Sequence, residues 1–163
     1  MVQMIKVVIL GDPSSVAFQK AYELALKLGF IEVVESPDGS DIAIAPLLTR
    51  ILTQEEIKAP RIGTLVFHPS PLPYGRGKSS IKYAYKRSEP ITAATWFWCN
   101  REIDAGDICE LEIVRIDYSK RPSEFYLNDV VPAMIRTLER VLIAIAAGII
   151  RRVPQVESYS SYD

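Results

Sequence analysis

Short apolar runs alternate with helical spacings along the first half of the chain. Met4–Leu10, Ile31–Val34, Asp41–Ala45 and Gly63–Phe67 are apolar stretches of strand length, the pattern of strands buried on both faces. Between the first two, Val16, Ala17, Tyr22, Leu24, Ala25 and Leu28 recur at helical spacing. Ser14 or Ser15 is placed to cap that helix and Gly29 to end it. Ser36-Pro37-Asp38-Gly39 is a turn, and Thr53–Lys58, acidic behind a Thr cap, is a short helix. This alternation predicts an α/β fold: a mostly parallel, Rossmann-like twisted sheet with helices on both faces.

The second half changes character. Ser80–Arg87 is a short helix. Thr92–Cys99 is aromatic and β-branched, and Ile108–Ile116 alternates as an antiparallel strand does. Ser123–Ala147 carries Leu127, Val130, Val131, Met134, Leu138, Val141, Leu142 and Ile145 at three- and four-residue intervals. It predicts one long helix, kinked at Pro132 and closed by Gly148. Arg151–Asp163 is polar and reads as a surface tail.

Composition narrows the function classes. The 163 residues fit one domain, with 1–163 read as a unit. Nineteen Lys and Arg against 20 Asp and Glu give no general nucleic-acid surface. Cys99 and Cys109 are too few for a disulfide framework or a metal site, so none is expected, and reduced thiols suit a cytoplasmic protein. The opening apolar run is too short for an export signal and Val141–Ile150 too short to span a bilayer. Exposure of part of that last stretch would favour a homodimer.

The candidate chemistry sits after the fourth apolar run. It delivers His68, the only histidine, into a loop with Pro69, Pro71 and Pro73, which bias His68, Ser70 and Leu72 toward extended backbone. Tyr74-Gly75-Arg76-Gly77-Lys78 follows, flexible at its glycines and positively charged, and Ser79 or Ser80 is placed to cap the next helix. A titratable group at the carboxyl end of a buried strand marks the ligand crevice of an open α/β sheet. A lone histidine is more often structural, and Asp104 and Asp107 read equally well as turn carboxylates. Gly11-Asp12-Pro13-Ser14 has a single glycine and matches no phosphate-loop motif, although a helix start there can hold an anionic group.

His68-Pro69-Ser70-Pro71-Leu72-Pro73-Tyr74-Gly75-Arg76-Gly77 resembles the HPSLLP-x-x-RG segment of the folate-dependent formyltransferases. Asp104-Ala105-Gly106 is similar to their D-x-G loop, at a matching separation of 36 residues (104 − 68) from the histidine. Weaker likenesses are the DIAIAPLLTRIL segment and the closing Val153-Pro154-Gln155. The resemblance implies 10-formyltetrahydrofolate as formyl donor, with His68 and Asp104 as the catalytic pair. The histidine would stabilise the formyl oxygen or donate a proton while the carboxylate shuttles the proton of the attacking group. It places the pterin between the loops Leu47–Leu52 and Asn100–Asp104, with Leu47, Leu48, Thr49, Asn100, Ile103 and Asp104 as binding residues. Asp12, Ser14, Ser70, Arg76 and Gly77 would line the acceptor site, Arg76 holding a carboxylate or phosphate.

Two departures bear on the acceptor. The family usually has an asparagine two residues before the histidine, and this chain has Val66. An oxyanion donor of that kind is worth about 100- to 1000-fold in rate where it is used. The family's hydrolase branch is similar in carrying an aliphatic residue there. Members acting on initiator tRNA also carry a further barrel domain, so a small amine is the expected acceptor. The readings left open are formyl transfer, formyl hydrolysis and a catalytically silent folate-binding module.

Overall fold

Every predicted strand forms, in a computed structural model that describes residues 4–102 and 104–163. The chain runs β1 (Ile5–Ile9), α1 (Val16–Lys27), β2 (Ile31–Val34), β3 (Ile42–Ala45), α2 (Gln54–Lys58) and β4 (Gly63–His68). It continues with α3 (Ser80–Lys86), β5 (Ile91–Trp98), β6 (Ile108–Arg115), α4 (Pro122–Phe125) and α5 (Val131–Ala146). The six strands form one sheet in the order β2-β1-β3-β4-β5-β6. Pairings among the first four are parallel, and β4–β5 and β5–β6 are antiparallel. The change of character seen in the second half of the sequence is therefore a change of strand direction.

Alternation along β4 sorts its side chains between two environments. Leu65 and Phe67 face the main core with Val7, Ile42, Ile44 and Trp96, covered by α1 and α5. Trp96 is wholly buried, and its Nε1 donates to Thr137 Oγ1 of α5 at 2.9 Å. Thr64, Val66 and His68 face the other way. Thr64 Oγ1 donates to the Ile57 carbonyl of α2, Val66 joins a small cluster with Ala45, Leu72 and Phe97, and His68 ends the strand.

Local signals account for most element ends. Ser15 caps α1 by accepting from Phe18 N, and Thr53 with Glu56 makes a reciprocal capping box on α2. Neither Ser79 nor Ser80, at the start of α3, caps it through its side chain. Ser79 sits in a left-handed conformation without such a bond, and Ser80 Oγ donates to the Pro69 carbonyl instead. The predicted long helix is interrupted where Pro132 predicts trouble. A π-helical turn, Tyr126–Val130, joins α4 to α5, which relieves the clash of the proline ring with the carbonyl one turn back.

Candidate active site

His68 is the last residue of β4 and pairs with Thr95 of β5. The loop after it winds back on itself rather than extending. Ser70 N donates to the His68 carbonyl and Leu72 N to the Ser70 carbonyl, so Pro69 and Pro71 each sit at the centre of a three-residue turn. A proline φ near −65° suits that geometry as well as it suits extended chain. The winding brings the Gly75 carbonyl to 2.7 Å from His68 Nε2. A carbonyl only accepts, so Nε2 carries the hydrogen and Nδ1 faces elsewhere.

Nδ1 faces Asp104. The Asp104 Oδ2 oxygen lies 3.5 Å from it, and both side chains are largely buried. Oδ2 also accepts from the Gly77 backbone N–H at 2.8 Å, while Oδ1 takes no hydrogen bond among the described residues. The route by which Asp104 arrives is indirect. β5 runs antiparallel to β4 and ends low on the sheet, where Cys99 N donates to the Thr64 carbonyl. The loop after it then climbs back over the Val66–Phe97 face to reach the far end of β4. Gly106 permits the climb: a Cβ there would lie 1.6 Å from the Trp98 carbonyl oxygen, so no larger residue fits. Asp104 itself has a positive φ of 53°, a conformation that aspartate tolerates better than most residues. Burial and the nearby Asp104 carboxylate push the Cys99 thiol up from its ordinary value, which leaves it a poor nucleophile.

The tail after α5 is mostly exposed, yet it closes the site from outside. Arg76 is wholly buried beneath it: its guanidinium donates to Gln155 Oε1, to both carboxylate oxygens of Glu157 and to the Tyr162 hydroxyl. The Glu157 carboxylate, with Tyr162 helping, raises the Arg76 pKa further above its already high ordinary value. The expectation that Arg76 holds an acceptor's anion thus meets a different outcome, because every donor it could offer is already engaged. Ser70 is similarly occupied, buried with its hydroxyl donating to the Tyr74 carbonyl at 2.7 Å. Gly77 spends its N–H on Asp104. In the sequence the only signal in the tail is the weak likeness at Val153-Pro154-Gln155, since its polar residues have no periodicity and their partners lie about eighty residues away in the chain.

The remaining predicted residues frame the same sheet end or lie beside it. Leu47 is exposed and Leu48 packs on the Ala45, Val66, Leu72 and Phe97 cluster. The main-chain groups of Leu48 and Thr49 make no hydrogen bonds among the described residues. Asn100 Oδ1 accepts from Glu102 N within its own loop, and Ile103 lies outside the described residues. Asp12 accepts from both the backbone and the hydroxyl of Ser14, which holds its carboxyl below the usual carboxylate range and closes that turn on itself. An open depression of about 460 Å³ beside it, lined by Pro13, Phe18, Gln19, Tyr22 and Glu23, belongs to the outer face of α1.

The model of the formyl transferase family matches residues 12–130, most of the chain, including His68 and Asp104 but not the tail that covers Arg76. The chain belongs to the formyl transferase family. Among curated relatives, cytosolic 10-formyltetrahydrofolate dehydrogenase of Mus musculus is 28% identical over 125 residues, 77% of this chain and 14% of that protein. Methionyl-tRNA formyltransferase of Phenylobacterium zucineum is 28% identical over 124 residues, 76% of this chain and 40% of that one. This formyl transferase chain therefore spans a minor part of the relatives it matches. The crystal structure of HypX from Aquifex aeolicus in complex with tetrahydrofolic acid shares the fold with a TM-score of 0.83 at 24% identity, over 99% of this chain and 29% of that one. The N-formyltransferase from Helicobacter canadensis, in complex with folinic acid and dTDP-3-aminofucose, has a TM-score of 0.78 at 18% identity. That match spans 98% of this chain and 71% of the solved one. Among the described residues, no helix is long and apolar enough to cross a membrane.

Proposed function

We propose that this formyl transferase takes the formyl group of 10-formyltetrahydrofolate and passes it to a small amine, with His68 and Asp104 as the reacting pair. One observation carries the reading: residues 36 apart in the chain (104 − 68) meet at 3.5 Å at the carboxyl end of β4. The surroundings suit a flat heteroaromatic donor. Leu48, Val66 and Phe97 supply an apolar floor, and the free main-chain groups of Leu48 and Thr49 supply a polar edge. When bound, 10-formyltetrahydrofolate supplies an activated formyl carbon. With Nε2–H spent on the Gly75 carbonyl, the N–H that His68 offers to the oxygen on which charge develops is that of Nδ1 in the imidazolium form. The open Oδ1 of Asp104 accepts a proton from the attacking nitrogen and passes it to N10 as the N10–formyl bond breaks.

Val66 favours a second reading, hydrolysis. Its side chain is buried against Ala45, Leu72 and Phe97, so the position two residues before the histidine offers no hydrogen-bond donor. Water in place of an amine needs the same histidine and carboxylate. Following formyl loss spectroscopically, with and without a panel of small amines, separates the two. Amine-dependent turnover supports transfer, and turnover indifferent to amines supports hydrolysis. Folate binding with no turnover under either condition overturns both.

A further inference from the structure

We infer that Gln155 is a positioning residue for the His68–Asp104 pair, tying the two loops that carry it through both ends of one carboxamide. The inference rests on the reading of that pair as the reacting centre. Gln155 Oε1 accepts from Arg76 Nε at 3.1 Å and Nη2 at 2.9 Å. Its Nε2 donates to the carbonyls of Asp104 and Gly106, each at 2.7 Å. An amide oxygen has two lone pairs and an amide nitrogen two hydrogens, so the whole bonding capacity of the group is used. Reversing it would set oxygen against two carbonyls and nitrogen against a guanidinium, so one orientation alone satisfies the site.

What Gln155 joins is the pair's own support. Arg76 lies between Gly75, whose carbonyl accepts from His68 Nε2, and Gly77, whose N–H donates to Asp104 Oδ2. On the other side, Asp104 is held in its left-handed conformation by its own carbonyl, one of the two that Gln155 grips. The spacing between imidazole and carboxylate is therefore set by a side chain that touches neither of them.

Gln155→Glu tests this cleanly. The substitution keeps an acceptor for Arg76 but removes both donors and places oxygen against the Asp104 and Gly106 carbonyls. We expect kcat for formyl loss to fall about 10- to 100-fold, the size of effect that a misplacement near 1 Å produces, with KM for 10-formyltetrahydrofolate little changed. His68 is the only histidine of the chain, so imidazole NMR reads it alone. Its spectrum should leave the Nε2–H tautomer for the averaged signature of a free imidazole. Should this variant fail to fold, the same measurements on Gln155→Asn, one methylene shorter, replace it. A folded variant with parental kcat and an unmoved His68 spectrum overturns the inference while the proposed reaction stands. A parent protein without formyl turnover, whose His68 spectrum still moves in the variant, overturns the proposed reaction and leaves the positioning role intact.

Discussion

The loops after β1 and β4 both leave the carboxyl ends of parallel strands, but they are built differently. From Asp12 to Ser15 the β1 loop is self-sufficient: Asp12 binds Ser14, Ser15 caps α1, and the farthest hydrogen-bond partner among the described residues is Gln19 in α1. The β4 loop depends on distant chain, with Gly75, Arg76 and Gly77 bonded to Ser161, Gln155, Glu157 and Asp104. A turn satisfied locally holds its shape wherever it is placed. A loop satisfied from afar holds side chains at fixed separations, which is what a reacting pair needs.

The sharpest break of this contrast is His68→Ala, expected to lower formyl turnover about 100- to 10,000-fold while the melting temperature is held. Retained turnover in steady-state assays would move the reacting centre elsewhere. Next is Gly106→Ala, whose methyl would collide with the Trp98 carbonyl. A destabilisation of about 4 kcal/mol or more in urea unfolding, or no folded protein, is expected. Arg76→Ala should follow at about 2–4 kcal/mol, since a buried guanidinium and its bonds to the tail are lost together. Limited proteolysis should then cut within the last ten or so residues first. On the self-sufficient side, Ser15→Ala is expected to remove about 1 kcal/mol through the lost helix cap and to leave turnover unchanged.

Acid gives the smallest effect and touches the segment between β3 and α2. Hydrogen bonds from Arg50, with the Thr53 backbone N–H, hold the Glu56 carboxyl down at about 2 from an ordinary 4.5. A carboxyl lowered on folding contributes stability that is complete above the ordinary value and is lost as pH falls toward the lowered one. Denaturation midpoints should therefore decline between about pH 4.5 and pH 2, and Glu56→Gln should flatten that part of the profile.

Much of the site could be read along the chain because its parts have local causes. A run of apolar residues ending in His68 specifies a buried strand and the place where it stops. An aspartate followed two residues later by glycine marks a turn, since aspartate tolerates positive φ and Gly106 leaves room for a neighbouring carbonyl. The internal bonding of Arg76 and Ser70 is not legible there, for the opposite reason. Both are polar residues in a loop of prolines and glycines, and local chemistry predicts exposure for them.

By itself the sequence determined which segments become strands and helices, because period and capping act over a few residues. Through motif likeness it also singled out the two side chains, His68 and Asp104, that the proposed reaction uses. Only the tertiary structure decided that the loop after β5 doubles back to bring Asp104 beside His68, and that the polar tail buries Arg76 and clamps both loops. Those contacts join residues 27 to 86 positions apart. No pattern within a short window encodes them, since their energy exists only once the sheet has brought the partners together.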